Sequence, residues 1–305
     1  MDNIFGAGIV SYNPDIERLE QNINSIYYQV GIIVLVDNYS NNRVEVKSIS
    51  EKYDRVVYIQ NDDNLGVGAA LNQIVSTLDS NGYEWALLMD QDSIADGKLI
   101  IKYSEYINND TVALVSPFIV DVNKTTFEEY KRMVDSMAPI NKISFAITSG
   151  SCISIHIYKI IGAFDESLFI DGIDTDYSRR LMICGFDQIR VNNSYILHEV
   201  GKARKSKIVR LAKNEKGNIV FQNHYRTNHS ALRVYYMTRN NIIITRRYSK
   251  YINPIKKYAF IFCYMFGKLL VENNRRDLLK AIIQGIRDGF RFPVSKFTKP
   301  ISFDR

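Results

Sequence analysis

The chain has 305 residues, 46% of them apolar and 24% charged, which is enough to bury a sizeable core and too apolar for a disordered polymer. Its 39 bases against 33 acids give a formal charge of +6, and three widely spaced cysteines, Cys152, Cys184 and Cys263, indicate neither a disulfide framework nor a zinc site but a cytosolic protein. The N-terminus MDNIFGAGIVSY has an acid at position 2 and reads as a first strand, not a secretory leader; the longest strongly apolar run, Tyr258 to Phe266, is too short to span a bilayer.

Apolar, often β-branched runs at 4–12, 32–37, 56–60, 85–89 and 112–120 alternate with segments of helical spacing at 14–28, 45–52, 66–78 and 97–107. This alternation predicts βαβ units and an α/β fold with a mainly parallel sheet. In the first helix Pro14 marks the start, and Leu19, Ile23 and Ile26 recur on one face, which is expected to be core.

The second strand ends in IIVLVDNYS, placing Asp37 at a carboxyl end, where ligands bind in open α/β sheets. An acid there accepts hydrogen bonds from a ribose or from a pyrimidine N3–H, with Asn38 and Ser40 shaping the turn; an ordinary Asx turn is the competing reading. Next, NLGVGAALN at 64–72 holds Gly66 and Gly68 after the third strand, where no dinucleotide fingerprint belongs. The glycines either let this helix approach a sugar or nucleotide or merely punctuate its start.

The fourth strand, in WALLMDQDS, delivers Asp90 and Asp92 to the same edge. Two hard carboxylates at i and i+2 suit a divalent cation clamped on a diphosphate, against the plainer reading of a strand end followed by a turn. Residues 144–156 read as a strand interrupted at Gly150. FIDGIDTDYSRR then groups Asp171, Asp174 and Asp176 before a helix running through Ile173, Tyr177 and Leu181 to a stop at Gly185. Asp176 and Arg180, at i and i+4, are expected to pair on the helix surface. Asp174 at the helix N-terminus is placed to be a general base, and Asp171 to orient either a substrate hydroxyl or the loop itself. His198, ending an apolar run, either completes a metal shell with Asp92 or is a packed structural histidine.

Residues 202–213, KARKSKIVRLAK, carry six bases and no acid, and 232–292 look helical, with aromatics among Lys and Arg. An acidic partner follows from this: a nucleoside diphosphate, an anionic membrane or a nucleic acid, for the last of which no reader motif is present.

In order, VSYNP at 10–14, VDNYS at 36–40, NLGVGAALN, MDQDS at 89–93, SGSCIS at 149–154, FIDGIDTDYSRR at 169–180, HEVG at 198–201 and RVYYMTRN at 233–240 resemble the inverting glycosyltransferases of family 2, and among them the bacterial rhamnosyltransferases. Ile173, where many relatives of the wider family have an acid, departs from the pattern in a way that fits the rhamnosyl branch. The resemblance implies a GT-A domain over 1–230 and a helical C-terminal region over 231–305. It implies a donor such as dTDP-L-rhamnose, with Asp37 at the nucleobase, Asp90 near ribose and metal, Asp92 and His198 on Mg²⁺ or Mn²⁺, and Asp174 as catalytic base. Tyr12, Asn13, Asn38, Asn64, Gly66, Gly68, Asn72, Gln91, Ser149, Gly150, Asp171 and Asp176 fall in its substrate-binding segments, and Arg239 in an element that contacts phosphate. Residues 202–213 become a lid or a contact for an acceptor pyrophosphate, with a solvated loop as the alternative.

The acceptor implied is a polyprenyl-linked glycan of bacterial surface polysaccharide synthesis at the cytoplasmic face of the membrane. The C-terminal aromatics, Phe260, Phe262, Tyr264, Phe266, Leu269, Leu270, Ile282, Ile283 and Ile286, then bury against the catalytic domain or a second subunit, or lie on an anionic leaflet. Another nucleotide hexose as donor, or a binding module without turnover, are the competing functions.

Overall fold

A computed structural model describes residues 4–121, 126–198, 204–213, 219–226, 229–272 and 274–299, with backbone alone at 204–213 and 219–226. The chain forms two compact units, whose boundary falls after His198.

The first unit runs β1 (Phe5–Ser11), α1 (Ile16–Ile26), β2 (Ile33–Asp37), α2 (Arg43–Ser50), β3 (Val56–Gln60), α3 (Val67–Ser80), β4 (Trp85–Asp90), β5 (Ile94–Ala95), α4 (Leu99–Ser104) and β6 (Val112–Asp121). It continues with α5 (Phe127–Val134), β7 (Ile140–Lys142), β8 (Ser151–Ser154), α6 (Ile155–Ile161), a 3-10 turn (Glu166–Leu168), α7 (Ile173–Cys184) and β9 (Asp187–His198). The strands make one sheet in the order β3-β2-β1-β4-β8-β6-β9-β5, with β7 also on β9. β1 pairs in parallel with β2 and β4, β2 with β3, and β6 with β9. β8 lies antiparallel between β4 and β6, so β1, β2, β3, β4, β6 and β9 all run one way. The mainly parallel sheet expected from the βαβ pattern is present, with β5, β7 and β8 running against it.

Burial explains the strand pattern. All five residues of β2 are buried, as a strand covered on both faces requires. α1 is capped by the Asp15 carboxylate, which accepts the Arg18 N–H at 3.1 Å, so Pro14 precedes the cap instead of opening the helix. Leu19, Ile23 and Ile26 are fully buried, as their spacing predicted.

Register then aligns the acids. Ser11 of β1 stands opposite Asp37, and Val10 opposite Asp90, so Asp37 and Asp90 close the same edge on either side of β1. On the other half of the sheet Asp121 pairs in parallel with His198, bringing the histidine to that edge as well.

The second unit holds a hairpin of β10 (Arg204–Lys213) and β11 (Ile219–Arg226), then α8 (Ala231–Arg247), α9 (Pro254–Val271) and α10 (Arg275–Arg291). Residues 202 and 203 of the basic run, and 199–201 of HEVG, lie outside the described residues. The rest of that run is a strand.

Candidate active site

Asp90, the last residue of β4, is held on both sides through its backbone. Its N–H donates to Ser149 Oγ at 3.2 Å, and its carbonyl accepts from Asn22 Nδ2 of α1. The next residue pins a neighbouring strand end, because Gln91 Oε1 accepts the Tyr12 N–H at 2.7 Å. Ser149 Oγ donates on to Ser93 Oγ at 2.8 Å, and Ser93 Oγ lies 2.8 Å from His198 Nδ1. Both serines are fully buried. A continuous polar chain therefore runs from Asp90 to the imidazole; Asp92, in the same turn, is half-buried. The antiparallel pairing of Ile94 with Leu197 sets this up, since it places Ser93 opposite His198.

Among the described residues no three His, Cys, Asp or Glu side chains are gathered into a ready-made metal site. The donors at the rim are the carboxylates of Asp90 and Asp92 and the imidazole of His198. Hard oxygens with one imidazole, half-buried and bonded from behind through Nδ1, fit a cation that takes its other ligands from a diphosphate and water.

Asp37 is fully buried. Its Oδ1 accepts the Ser40 N–H at 3.1 Å and its Oδ2 the Tyr58 hydroxyl at 3.2 Å. The partial burial of Tyr58 itself, with the Asp37 carboxylate alongside, pushes its hydroxyl well above the ordinary range, so it stays a donor. The turn is cross-linked to the end of β1: Asn13 N–H donates to Ser40 Oγ at 2.8 Å, and Asn13 Oδ1 accepts the Asn41 N–H at 2.7 Å.

The loop before α7 carries Phe169 at φ 60° and Asp171 at φ 62°, a left-handed conformation that costs a non-glycine residue about 1 kcal/mol or more. Phe169 is anchored there by its carbonyl, which accepts the Val67 N–H at 2.7 Å. Gly172 then leads into α7, and Asp174 lies in its first turn. The Asp174 carboxyl is pushed up to about 6, chiefly by burial and further by the charges of Asp171 and Asp90; its hydrogen bond from the Thr175 N–H, at 2.7 Å, works in the opposite direction. The two acidic clusters that the sequence keeps far apart thus share one electrostatic neighbourhood.

Several residues expected to meet substrate are occupied by the protein itself. Asn72 donates to the Phe164 carbonyl and Glu166 Oε1, and accepts from Phe164 N–H and the Tyr158 hydroxyl, so it fastens α3 to the loop before α7. The close approach that Gly66 and Gly68 permit is to that same loop. Gly66 has φ 84°, and a Cβ on it would lie 2.7 Å from the Phe169 carbonyl oxygen; one on Gly68 would lie 3.1 Å from that of Asp165. Asn38 is buried, bridging Asn64 Oδ1, the Gly66 carbonyl, Asn61 and the Leu65 N–H, and Asn64 Oδ1 also accepts the Gly66 N–H. The Gly150 carbonyl accepts the Tyr103 hydroxyl at 2.8 Å.

Asp176 does not form the surface pair that its spacing suggested. It is 1% exposed and accepts from Arg180 Nε at 3.0 Å, while the same guanidinium donates to the carbonyls of Ile161, Gly162 and Ala163. An acid this buried, facing an arginine bonded four ways, is held in place by the fold.

The sequence reading missed Asn22, Ser93 and Tyr58. For Asn22 a signal exists: it lies on the stripe of Leu19, Ile23 and Ile26 and is itself fully buried, and a polar residue on a core face needs a partner. Arg239 lies on α8 in the second unit, where its guanidinium sits 4.8 Å from the Phe292 ring centroid and donates to Asn240 Oδ1 at 3.0 Å.

The mainly parallel sheet whose edge carries the Asp-Gln-Asp end, the buried Asp37 turn and the half-buried carboxylic acid has the GT-A glycosyltransferase fold. Solved structures with this architecture include GalNAc-T7 with UDP, GalNAc and Mn²⁺ (TM-score 0.61, 12% identity, 95% of this chain and 56% of that one). Residues 1–349 of S. aureus TarS also match (TM-score 0.50, 12% identity, 95% and 72%). Residues 7–161 match Glycosyl transferase family 2, and the chain belongs to that family. Among curated proteins it is 26% identical over 301 residues to the dTDP-rhamnosyl transferase RfbF of Shigella flexneri, covering 95% of this chain and 96% of that protein. It is 29% identical over 146 residues to the uncharacterized glycosyltransferase MJ1057 of Methanocaldococcus jannaschii, covering 45% of this chain and 49% of that one.

Proposed function

We propose that this family 2 enzyme transfers L-rhamnose from dTDP-L-rhamnose, with inversion, to a hydroxyl of a polyprenyl-linked glycan at the cytoplasmic face of the membrane, in bacterial surface polysaccharide synthesis. The likeness to RfbF along nearly the whole of both chains supports the donor. For the chemistry, the observation that carries the reading is Asp174, a carboxylic acid raised to about 6 within the electrostatic reach of Asp90. A general base works best with a pKa near the working pH, and this group is ionised above about 6.

In the proposed reaction the donor base lies over the turn that Asp37 holds, and Asp90 faces the ribose. Asp92 and His198 would hold Mg²⁺ or Mn²⁺, which when bound would supply Lewis-acid stabilisation of the diphosphate. Asp171 orients the acceptor hydroxyl, and Asp174 takes its proton. The hydroxyl oxygen bonds to the anomeric carbon opposite the departing group, the carbon–oxygen bond to the diphosphate breaks, and its electron pair leaves with dTDP. One displacement inverts the centre. Arg239 is assigned a contact to phosphate.

Isothermal titration with a panel of nucleotide sugars tests the donor. Tightest binding of dTDP-L-rhamnose is expected, and a clear preference for another nucleotide hexose would overturn the assignment of the sugar while leaving the roles of Asp92 and Asp174 standing.

A further inference from the structure

The helix α9 presents a packing problem. Its Ile261, Met265 and Val271 are buried, and its one buried base, Lys268, pairs with Glu272 at 3.7 Å. Yet Phe262 is 68% exposed and Phe266 54%, one turn apart and stacked on one flank, and on another Phe260, 60% exposed, stacks on Tyr264. Phe262 and Phe266 line an open groove of about 330 Å³ together with Ile283, Ile286 and Phe290 of α10. A helix apolar on all sides is normally covered on all sides, and an apolar patch of this extent marks an interaction surface. No described helix is long and apolar enough to cross a membrane, so α9 does not meet the requirement by spanning one.

Charge selects the occupant. Residues 254–291 hold eight bases and three acids, a net +5. Lys256 and Lys257 precede the aromatic run, Arg275 and Arg276 follow it, and Lys280 stands exposed on α10. A second copy of the chain would set +5 against +5, whereas lipid phosphates would neutralise the bases while acyl chains cover the aromatics.

We propose that α9 and α10 form a docking surface for an anionic lipid leaflet, with Phe262 and Phe266 inserted at the headgroup boundary and the flanking bases on lipid phosphates. The inference deepens the reading of a polyprenyl-linked acceptor and rests on it only for the purpose of the contact.

The test is sedimentation of the full chain with vesicles of phosphatidylcholine alone or mixed with phosphatidylglycerol, at low and high salt. Binding is expected to be at least about tenfold stronger to the anionic vesicles, and weaker at high salt. Lys256→Glu with Lys257→Glu, and separately Phe262→Ser with Phe266→Ser, are each expected to weaken it about tenfold or more while keeping the wild-type melting temperature and affinity for dTDP-L-rhamnose. Equal binding to both vesicle types, or binding to neither, would overturn the proposal. So would a dimer in lipid-free sedimentation equilibrium that Phe262→Ser with Phe266→Ser dissolves, since the face would then belong to a second copy. Vesicle binding without any affinity for nucleotide sugars would support the docking surface and count against the proposed donor reading instead.

Discussion

Replacing Asp174 with Asn is expected to make the protein more stable and far slower in transfer at once. The acid stands at about 6 in the folded chain against an ordinary value of 3.8, so folding binds a proton more tightly than the unfolded chain does between these values. A carboxyl raised by folding burdens the native state as pH rises: the penalty begins near 3.8, grows through about 6, and is constant above it. At about 1.36 kcal/mol per pKa unit, the full penalty at pH 7 is at most about 3 kcal/mol, shrinking to roughly half by pH 5. An asparagine removes the charge and can still accept the Thr175 N–H through Oδ1. Urea unfolding of wild type and Asp174→Asn at pH 7.5, 5 and 4 measures the gain directly. A stabilisation that is largest at pH 7.5 and nearly gone at pH 4 is predicted. Equal stability at all three, or a loss at pH 7.5, would refute the claim that burial and the neighbouring acids strain this carboxylate.

Asp90→Asn removes one of the charges that raise Asp174, so the acid limb of the pH–rate profile for residual transfer should move below that of wild type; a limb that stays put would separate the two acids. Arg180→Met removes the guanidinium that faces the buried Asp176 and should cost about 3–5 kcal/mol in urea unfolding, with part of it recovered when Asp176→Leu is added. Gly66→Ala forces a Cβ against the Phe169 carbonyl at φ 84°, and a loss of about 1–3 kcal/mol is expected by the same measurement. Tyr58→Phe deprives the buried Asp37 of a donor, which should cost about 1–2 kcal/mol and raise the donor KM more than it changes kcat in a steady-state assay.

The parallel strands, their helices and the acids at their ends were legible because they follow local periodicity: an apolar run stopped by an acid is visible within ten residues. β8 and α6 were not. Ser144 to His156 read as one interrupted strand, whereas Ser154 caps a new helix by accepting the Ile157 N–H, and IHIYKII is apolar enough to suit either element. Nor does local pattern reveal that β8 enters the sheet against its neighbours, since that depends on pairing with Trp85 to Leu88 and with β6. The basic run at 202–213 read as a lid, a pyrophosphate contact or a solvated loop; its residues 204–213 form a strand paired with 219–226.

Site residues divide along the same line. Asp92, Asp174 and His198 were legible as candidates because each lies at, or within two residues of, the end of an element. Asn38, Asn64, Asn72 and Asp176 have the chemistry of ligand contacts, but their partners lie on loops distant in sequence, such as Phe164 for Asn72 and Ala163 for the arginine that holds Asp176. Only the folded chain shows that those loops claim them. The same distance hid Ser93, whose hydroxyl matters through His198, 105 residues on.

The central claim, that Asp174 is the base which drives transfer at a site organised by Asp90 and Asp92, is tested most directly by single-turnover transfer from dTDP-L-rhamnose with saturating acceptor. Asp174→Asn should fall by about 10²–10⁴ in rate at pH 7.5 while binding the donor as tightly as wild type. Transfer at the wild-type rate would contradict it.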